Sequence, residues 1–319
     1  MAYKNSILMG TLGGYRDRFH QFQPDRSFSE RLEIAKTIPG TDGIEPVFPH
    51  DLGRGGEAVE TVKASGLAVS AVNVNIKGES KFRDGSFTHA DPGIRAETIQ
   101  YMKKAMDLSA ELEANMISVC PLIDGFDYAF QADYQKQWAW AIDCFGEAAA
   151  HRGDVKLSIE YKAFETRNHV ILPSMGKTLH FCDRVGATNL GVTMDMGHAL
   201  MAGENPAAEM AMAHDAGRLL YVHFNDNDRG ADWDMLPASV NLWHTLETLH
   251  YMRRIGYDGW VAYDVFTRTE DNVNAIAATF EIMENLEKLL DKIGDDKLDA
   301  IIAEAVPANG YRDLVKALL

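Results

Sequence analysis

Short apolar runs with one polar face recur along the chain, and longer segments with helical periodicity separate them. Eight of these runs are candidate strands: Ser6–Gly10, Gly43–Phe48, Ala68–Asn75, Met116–Leu122, Lys156–Tyr161, Leu190–Met194, Leu219–Phe224 and Trp260–Val265. Because neighbouring parallel strands need a crossover connection, strands that alternate with helices predict one parallel sheet. Eight such units predict an α/β fold, a closed (β/α)8 TIM barrel. A doubly wound open sheet is the alternative, but no Gly-x-Gly-x-x-Gly follows the first run.

Helix-start signals support this alternation. Ser27 and Glu30 have the spacing of a capping box, and Asp91 followed by Pro92 is typical of an N-cap and a first helical residue. Further helical patterns cover Pro173–Val185, Asn205–Ala216, Val240–Ile255 and Glu270–Ile293. We therefore predict one catalytic domain over residues 1–293. Residues 294–319 are expected to form a short helical C-terminal extension that is not an independent domain.

Composition narrows the functional classes. The 319 residues carry 31 Lys and Arg against 47 Asp and Glu, a formal charge of −16. This acidity disfavours binding to nucleic acid, whose phosphates attract cations. The sequence has no apolar run long enough for a membrane span and no signal-peptide pattern at its start, and its three cysteines are widely spaced. We therefore expect a cytoplasmic protein without disulfides or membrane contact.

Polar residues at the ends of four candidate strands carry the functional information. Because side chains on a strand alternate between faces, the apolar residues face the helices and the others face the barrel axis. The axis-facing residues at the four strand ends are Glu160 and Lys162, Asp195, His223 and Asn225, and Asp264. Glu160, Asp195, His223 and Asp264 are therefore expected to converge. A single strand-end carboxylate is more often a helix cap or salt-bridge partner, but four on consecutive strands favour a shared ligand.

A divalent cation would relieve the repulsion between these carboxylates. Three carboxylates and one imidazole without a thiolate favour Mn²⁺, Mg²⁺ or Co²⁺ over Zn²⁺. Loop residues His198, Asp232 and Asp234, with Glu160 as a bridge, could hold a second cation. A lysine that points into the barrel two residues beyond a ligand is expected to contact substrate, which assigns that role to Lys162.

Several motifs add a family resemblance over residues 5–290. The segment from Glu160 to Arg167 matches E-x-K-x-x-E-x-R, and His198 to Gly203 matches H-x-x-M-A-G. Phe82 to Thr88 is similar to F-K-D-G-x-F-T, and Asp107 to Leu112 is similar to D-L-A-x-E-L. In sequence, order and spacing these motifs resemble the xylose isomerase-like family of TIM barrels, which belongs to the sugar isomerase and epimerase superfamily.

The resemblance implies an aldose–ketose isomerase that uses two metal ions and a 1,2-hydride shift on an open-chain sugar. It places the first metal on Glu160, Asp195, His223 and Asp264, and the second on Glu160, His198, Asp232 and Asp234. It also implies that Lys162 contacts the substrate carbonyl oxygen and that Phe82 reaches a neighbouring subunit's site in a homo-oligomer, a dimer or tetramer. His50 is a candidate for steering the ring-opened sugar, and Asn225 and Asp124 are candidate sugar contacts.

Some positions depart from the family pattern. Xylose isomerases proper have Glu at the position of Asp195 and Asp at the position of His223, and a combination of Asp and His is more similar to rhamnose isomerase and the ketose 3-epimerases. Cys120 and Pro121 stand where the family has a tryptophan motif. A single-metal ketose 3-epimerase or a related metal-dependent sugar lyase, with Asp264 as a base for proton abstraction, is therefore the alternative. A DNA-repair endonuclease of the same architecture is disfavoured by the charge, and a non-catalytic sugar-binding module by the complete ligand set with Lys162.

Overall fold

The computed structural model describes residues 3–165 and 167–319. Outside the described residues lie Met1 and Ala2, which begin the predicted domain, and Thr166, which falls inside the E-x-K-x-x-E-x-R motif. The parallel strands are β1 Lys4–Leu8, β2 Gly43–Glu45 continued by Val47–Phe48, β3 Ala68–Val69 continued by Val72–Val74, β4 Met116–Val119, β5 Lys156–Glu160, β6 Leu190–Asp195, β7 Leu219–Phe224 and β8 Trp260–Tyr263.

The strands form a closed ring. β1 pairs in parallel with β8 on one side and with the first part of β2 on the other. The first part of β2 pairs with the first part of β3, and the second part of β2 with the second part of β3, which then pairs with β4. Pro46 separates the two parts of β2, because proline has no N–H to give to the ladder. The predicted TIM-barrel fold is confirmed.

Eleven α-helices surround or extend the described barrel. They are α1 Phe28–Thr37, α2 Gly56–Ser65, α3 Pro92–Glu111, α4 Tyr134–His151, α5 Met175–Val185, α6 Met196–Met201, α7 Pro206–Asp215, α8 Leu242–Arg254, α9 Asn272–Ile293, α10 Asp295–Glu304 and α11 Pro307–Leu318. The capping box of Ser27 and Glu30 and the N-cap role of Asp91 are confirmed. None of the described helices is both long and apolar enough to cross a membrane.

Two small antiparallel sheets were not expected from the sequence. Residues Tyr15–Arg16 pair with Gln21–Gln23. Residues Asn168–Val170 pair with Phe164–Glu165 on one side and with Gly125–Phe126 on the other. The second sheet follows the carboxyl end of β5, so it fixes the backbone on which Glu165 stands.

The interior of the barrel has an apolar part and a part with charged groups. A small apolar cluster of Ala71, Met116, Tyr221 and Ala262 fills part of the axis. Acidic and imidazole groups lie where β5 to β8 end, the edge at which TIM barrels carry their sites. A much larger apolar core packs the sheet against the helices, and Leu298 of α10 joins it from the tail.

Candidate metal centre

Four buried side chains meet at the carboxyl ends of β5 to β8. One potential ligand atom from each of Glu160, Asp195, His223 and Asp264 lies within 4.8 Å of the others. The Nδ1 atom of His223 is 3.5 Å from Glu160 Oε1 and 4.0 Å from the nearest oxygens of Asp195 and Asp264. Strand alternation turns all four toward the axis. The structure thus brings together the residues that the strand pattern selected.

The charges in this cluster oppose one another. Burial raises the pKa of Asp195 to about 6, with His198 acting against the shift and Glu160 adding to it. Burial, followed by the charge of Asp195, raises the pKa of Asp264 well above its usual value. Burial acts on Glu160 in the same direction, but the imidazoles of His223 and His198 hold its pKa at about 2. A divalent cation would stabilise the ionised form of all three carboxylates.

Two histidines flank Glu160 in the same way. The Nδ1 atoms of His198 and His223 lie 3.2 Å and 3.5 Å from Glu160 Oε1. Neither Nδ1 atom has a hydrogen-bond partner within residues 3–165 and 167–319. Their Nε2 atoms donate to Asp232 Oδ2 at 3.1 Å and to Glu45 Oε2 at 3.0 Å. A metal-ligating histidine characteristically donates its other ring N–H to a carboxylate, so the buried Nδ1 atoms fit a cation site.

Glu45 is a functional residue that the sequence analysis missed. Besides His223, it accepts hydrogen bonds from Tyr221 Oη at 2.9 Å, Ser118 Oγ at 2.5 Å and Asn73 Nδ2 at 3.1 Å. Its side chain is fully buried inside the barrel. An acidic residue within the short apolar segment Gly43–Phe48 was the available signal.

The residues predicted to bind a second cation do not surround one point. His198 presents Nδ1 to Glu160 and Nε2 to Asp232, so the two carboxylates face different nitrogens of its ring. Because one imidazole gives one nitrogen to an ion, these three residues do not share an ion in this arrangement. Lys162 Nζ lies 2.6 Å from Asp232 Oδ2 and supplies the charge that this carboxylate needs.

A cavity of about 260 Å³ opens onto the centre. Its lining includes the charged residues Lys162, Glu165, Asp232 and Asp234 and the apolar residues Phe87, Val119, Leu122 and Phe266. Burial opposes the charge of Lys162, but Asp232 and Glu165 raise its pKa above the ordinary value, so it is protonated. A lining that combines charged and apolar side chains suits a small polyhydroxylated molecule.

Phe82 and Asp124 do not occupy the positions that we expected. Phe82 is fully buried in its own chain, edge-on to Tyr101 with ring centroids 5.8 Å apart, and therefore does not reach a neighbouring subunit. Asp124 is also fully buried, and its carboxylate accepts hydrogen bonds from the backbone and hydroxyl groups of Ser86 and Thr88. These bonds occupy the group that was assigned to sugar binding, so Asp124 anchors a loop instead.

Asn225 and His50 also have protein partners. Asn225 Nδ2 donates to Asp195 Oδ2 at 3.2 Å and to Asp264 Oδ1 at 2.9 Å, so it positions two carboxylates, while its Oδ1 atom has no hydrogen-bond partner within the described residues. His50 lies outside the centre, with its Nδ1 atom 2.8 Å from Asp51 Oδ1. It lines a neighbouring cavity that shares Gly10, Val47 and Asn75 with the central one.

Two curated proteins are similar to this chain in sequence. The xylose isomerase of Thermus thermophilus is 30% identical over 214 residues, which cover 65% of this chain and 55% of that protein. The xylose isomerase of Thermus caldophilus is 30% identical over 216 residues, which cover 65% of this chain and 55% of that protein. The chain thus spans about half the length of these curated relatives.

Solved structures share the fold. An Escherichia coli 3-keto-D-glucoside 4-epimerase superposes with a TM-score of 0.69 at 17% identity, covering 89% of this chain and 99% of that chain. A D-tagatose 3-epimerase-like protein gives a TM-score of 0.70 at 19% identity, covering 90% and 98%. The family model described as "Xylose isomerase-like TIM barrel" matches residues 32–291. With this match over most of its length, the chain belongs to the xylose isomerase-like TIM-barrel family.

Proposed function

We propose that this protein is a divalent-cation-dependent sugar isomerase that interconverts an aldose and a ketose in the open-chain form. The convergence of Glu160, Asp195, His223 and Asp264 is the observation that carries the proposal. Three carboxylates and an imidazole suit Mn²⁺ or Mg²⁺, and also Co²⁺. When bound there, the cation would polarise a sugar carbonyl and an adjacent hydroxyl.

Lys162 has the position of a substrate-binding group in this reaction. Its ammonium is buried at the cavity wall, and Asp232 and Glu165 hold it through ion pairs. A fixed donor of this kind hydrogen-bonds an oxygen on which negative charge develops, and little reorganisation is needed when the charge appears. Phe87 and Phe266 also line the cavity, and their apolar rings would help to exclude water from bound sugar.

The first test is a screen of aldoses and ketoses with the chelator-treated protein. We expect interconversion, read by chromatography, to return on addition of Mn²⁺, Mg²⁺ or Co²⁺. Asp195→Asn should lose both cation binding and turnover, because it removes a buried ligand. Glu33→Gln, which changes an exposed ion pair with Lys36, is the matched surface control. Full turnover without any divalent cation would contradict the proposal.

A ketose 3-epimerase that uses one cation is the second candidate. It is favoured by the described residues, in which Glu160, Asp195, His223 and Asp264 converge while Glu160, His198, Asp232 and Asp234 do not. Two of the similar folds belong to proteins named as an epimerase and as epimerase-like. Epimerisation at C3 would proceed by proton abstraction, for which Asp264 is the candidate base.

Turnover in deuterated water separates the two candidates. A 1,2-hydride shift keeps the migrating hydrogen, so the product of an isomerase should carry almost no carbon-bound deuterium. An epimerase should introduce deuterium at C3 in nearly every cycle. A count of bound Mg²⁺ per chain by elemental analysis adds an independent result, because the two-ion reaction requires a second occupied site.

A further inference from the structure

Cys120 lies directly after β4, on the wall of the central cavity. Its Sγ atom, one carboxylate oxygen of Glu160 and one ring nitrogen of His198 all lie within 4.8 Å of one another. This cluster shares Glu160 with the four-residue centre but adds a thiol and a second imidazole. Cys120 is free of any disulfide, so its sulfur is available as a ligand.

The state of His198 supports a ligand at this position. Its side chain is 4% exposed, and Nδ1, the nitrogen nearest Glu160 Oε1, lacks a hydrogen-bond partner across the described parts of the chain. The Nε2–H group donates to Asp232, which is itself held by Lys162. In a neutral imidazole this bond would fix the tautomer that leaves the Nδ1 lone pair for a ligand. A buried ring nitrogen without a hydrogen-bond partner costs free energy, and a cation bound in front of it removes that cost.

We infer that Cys120, Glu160 and His198 form a second cation site, which takes thiophilic divalent ions such as Zn²⁺ or Co²⁺. Thiolate selects such ions over Mg²⁺, which prefers oxygen ligands. Three protein ligands leave further coordination positions open toward the cavity, as in catalytic zinc sites. Asp232 then positions His198 through its Nε2–H group and is not a ligand. The inference rests on the proposed function in one respect, the sharing of Glu160.

Ion binding at this site has a definite proton balance. The thiol of Cys120 gives up its proton to solvent when sulfur binds the cation, and no electron is transferred. Burial, followed by the charge of Glu160, raises the pKa of the Cys120 thiol well above its usual value, and the charges of Lys162 and Lys77 oppose this shift. A divalent cation bound to the sulfur carries a larger charge than these side chains and would favour the thiolate.

Cobalt provides a readout that does not depend on turnover. We would titrate the chelator-treated full chain with Co²⁺ and record its absorption, because thiolate bound to Co²⁺ gives a charge-transfer band in the near ultraviolet. The wild-type protein should show this band, and Cys120→Ser should lose it. Cys144→Ala and Cys182→Ala are matched controls that should keep it, because both thiols are buried in the apolar core. Circular dichroism verifies that each variant is folded.

A further variant separates this site from the four-residue centre. Asp264→Asn removes a ligand that belongs to that centre alone, so it should keep the thiolate band while reducing the amount of Co²⁺ bound. Binding of Co²⁺ without the band in the wild type would overturn the cysteine site and leave the four-residue centre intact. Absence of all Co²⁺ binding would contradict both sites. A band that survives Cys120→Ser would also overturn the inference.

Discussion

Glu160 stands between two histidines, and each histidine is backed by a second carboxylate. Glu45 holds Nε2 of His223, and Asp232 holds Nε2 of His198. This repeated arrangement orients both rings so that their Nδ1 atoms face Glu160, and it would set the tautomer of each neutral imidazole. The outer carboxylates therefore determine what the inner residues can bind, although they do not face the cation themselves.

Replacing Glu45 tests this dependence. Glu45→Gln keeps the size of the side chain but weakens the acceptor for His223 Nε2–H. We expect Mn²⁺ affinity, measured by calorimetry, to fall by about 10–100-fold, which is the usual cost of losing such an orienting partner. Nitrogen NMR of His223 should show a shift of its tautomer toward the Nδ1–H form.

Ser118→Ala is the control for this variant. It removes another hydrogen bond to Glu45 but leaves the contact with His223 unchanged. If both variants lower Mn²⁺ affinity equally, or if Glu45→Gln leaves it unchanged, Glu45 acts through general packing and not through the histidine.

At the scale of elements, the loop between β7 and α8 carries Asp232 and Asp234. Asp226 fixes its base, because its carboxylate accepts hydrogen bonds from the backbone of Val240 at 2.8 Å and of Asn241 at 2.9 Å. A backbone bridge between Asp226 and Met235 closes the loop further. The position of Lys162, which is held by Asp232, thus depends on a fully buried anchor outside the centre.

Asp226→Ala should weaken both the fold and the site. It leaves two partly buried backbone N–H groups without acceptors, at a cost of about 1–3 kcal/mol in the free energy of unfolding. We expect urea denaturation to show this loss, and turnover to fall even at temperatures where the variant is folded. Asp228→Ala, on the exposed part of the same loop, should change neither property appreciably. Equal effects of the two variants would contradict the anchor role.

Glu204, in the segment between α6 and α7, should make the free energy of unfolding depend on pH. Burial raises the pKa of Glu204 from 4.5 to about 7, a shift that Tyr161 opposes and Glu209 reinforces. The folded state therefore holds a proton that the unfolded state releases between these values. The free energy of unfolding should fall as the pH rises from 4.5 to about 7.

Denaturation of Glu204→Gln across this pH range provides the measurement. Glutamine cannot ionise, so we expect the variant to lose part of the decline that the wild type shows. Glu33→Gln, which changes an exposed carboxylate, should keep the wild-type pH dependence. A slope that is the same in all three proteins would exclude Glu204 as its source.

The elements also show how far the sequence could predict the centre. Alternation on β5 to β8 selected Glu160, Asp195, His223 and Asp264, because the side-chain period of a strand is independent of distant contacts. Glu45 escaped because Pro46 interrupts β2 and breaks the alternation there. The position of Phe82 and Asp124 depends on packing between segments distant in sequence, which local pattern does not encode. The contacts of the two ring nitrogens of His198 with Glu160 and Asp232 also depend on the folded barrel.

At the scale of the whole molecule, the centre and the C-terminal tail occupy different faces. The centre opens at the carboxyl ends of the strands, whereas α10 and α11 pack against α8 and α9 on the outside of the barrel. Leu298 is 7% exposed and joins the core, while Tyr311 packs edge-on to Trp243. The described tail thus covers apolar surface of the barrel and contributes no residue to the central cavity.

Removal of residues 296–319 should therefore lower the thermal stability without changing the affinity for Mn²⁺. The truncation exposes apolar side chains of α8 and α9, including Trp243 and Leu290, so the melting temperature should fall. Mn²⁺ affinity measured well below that temperature should stay within a factor of two of the full chain, about 0.4 kcal/mol. Leu298→Ala should reproduce the direction of the thermal effect, because it removes one buried contact of the tail. A loss of Mn²⁺ affinity in both proteins would instead show that the tail is coupled to the centre. Independent folding of the isolated tail would contradict our prediction that it is no separate domain.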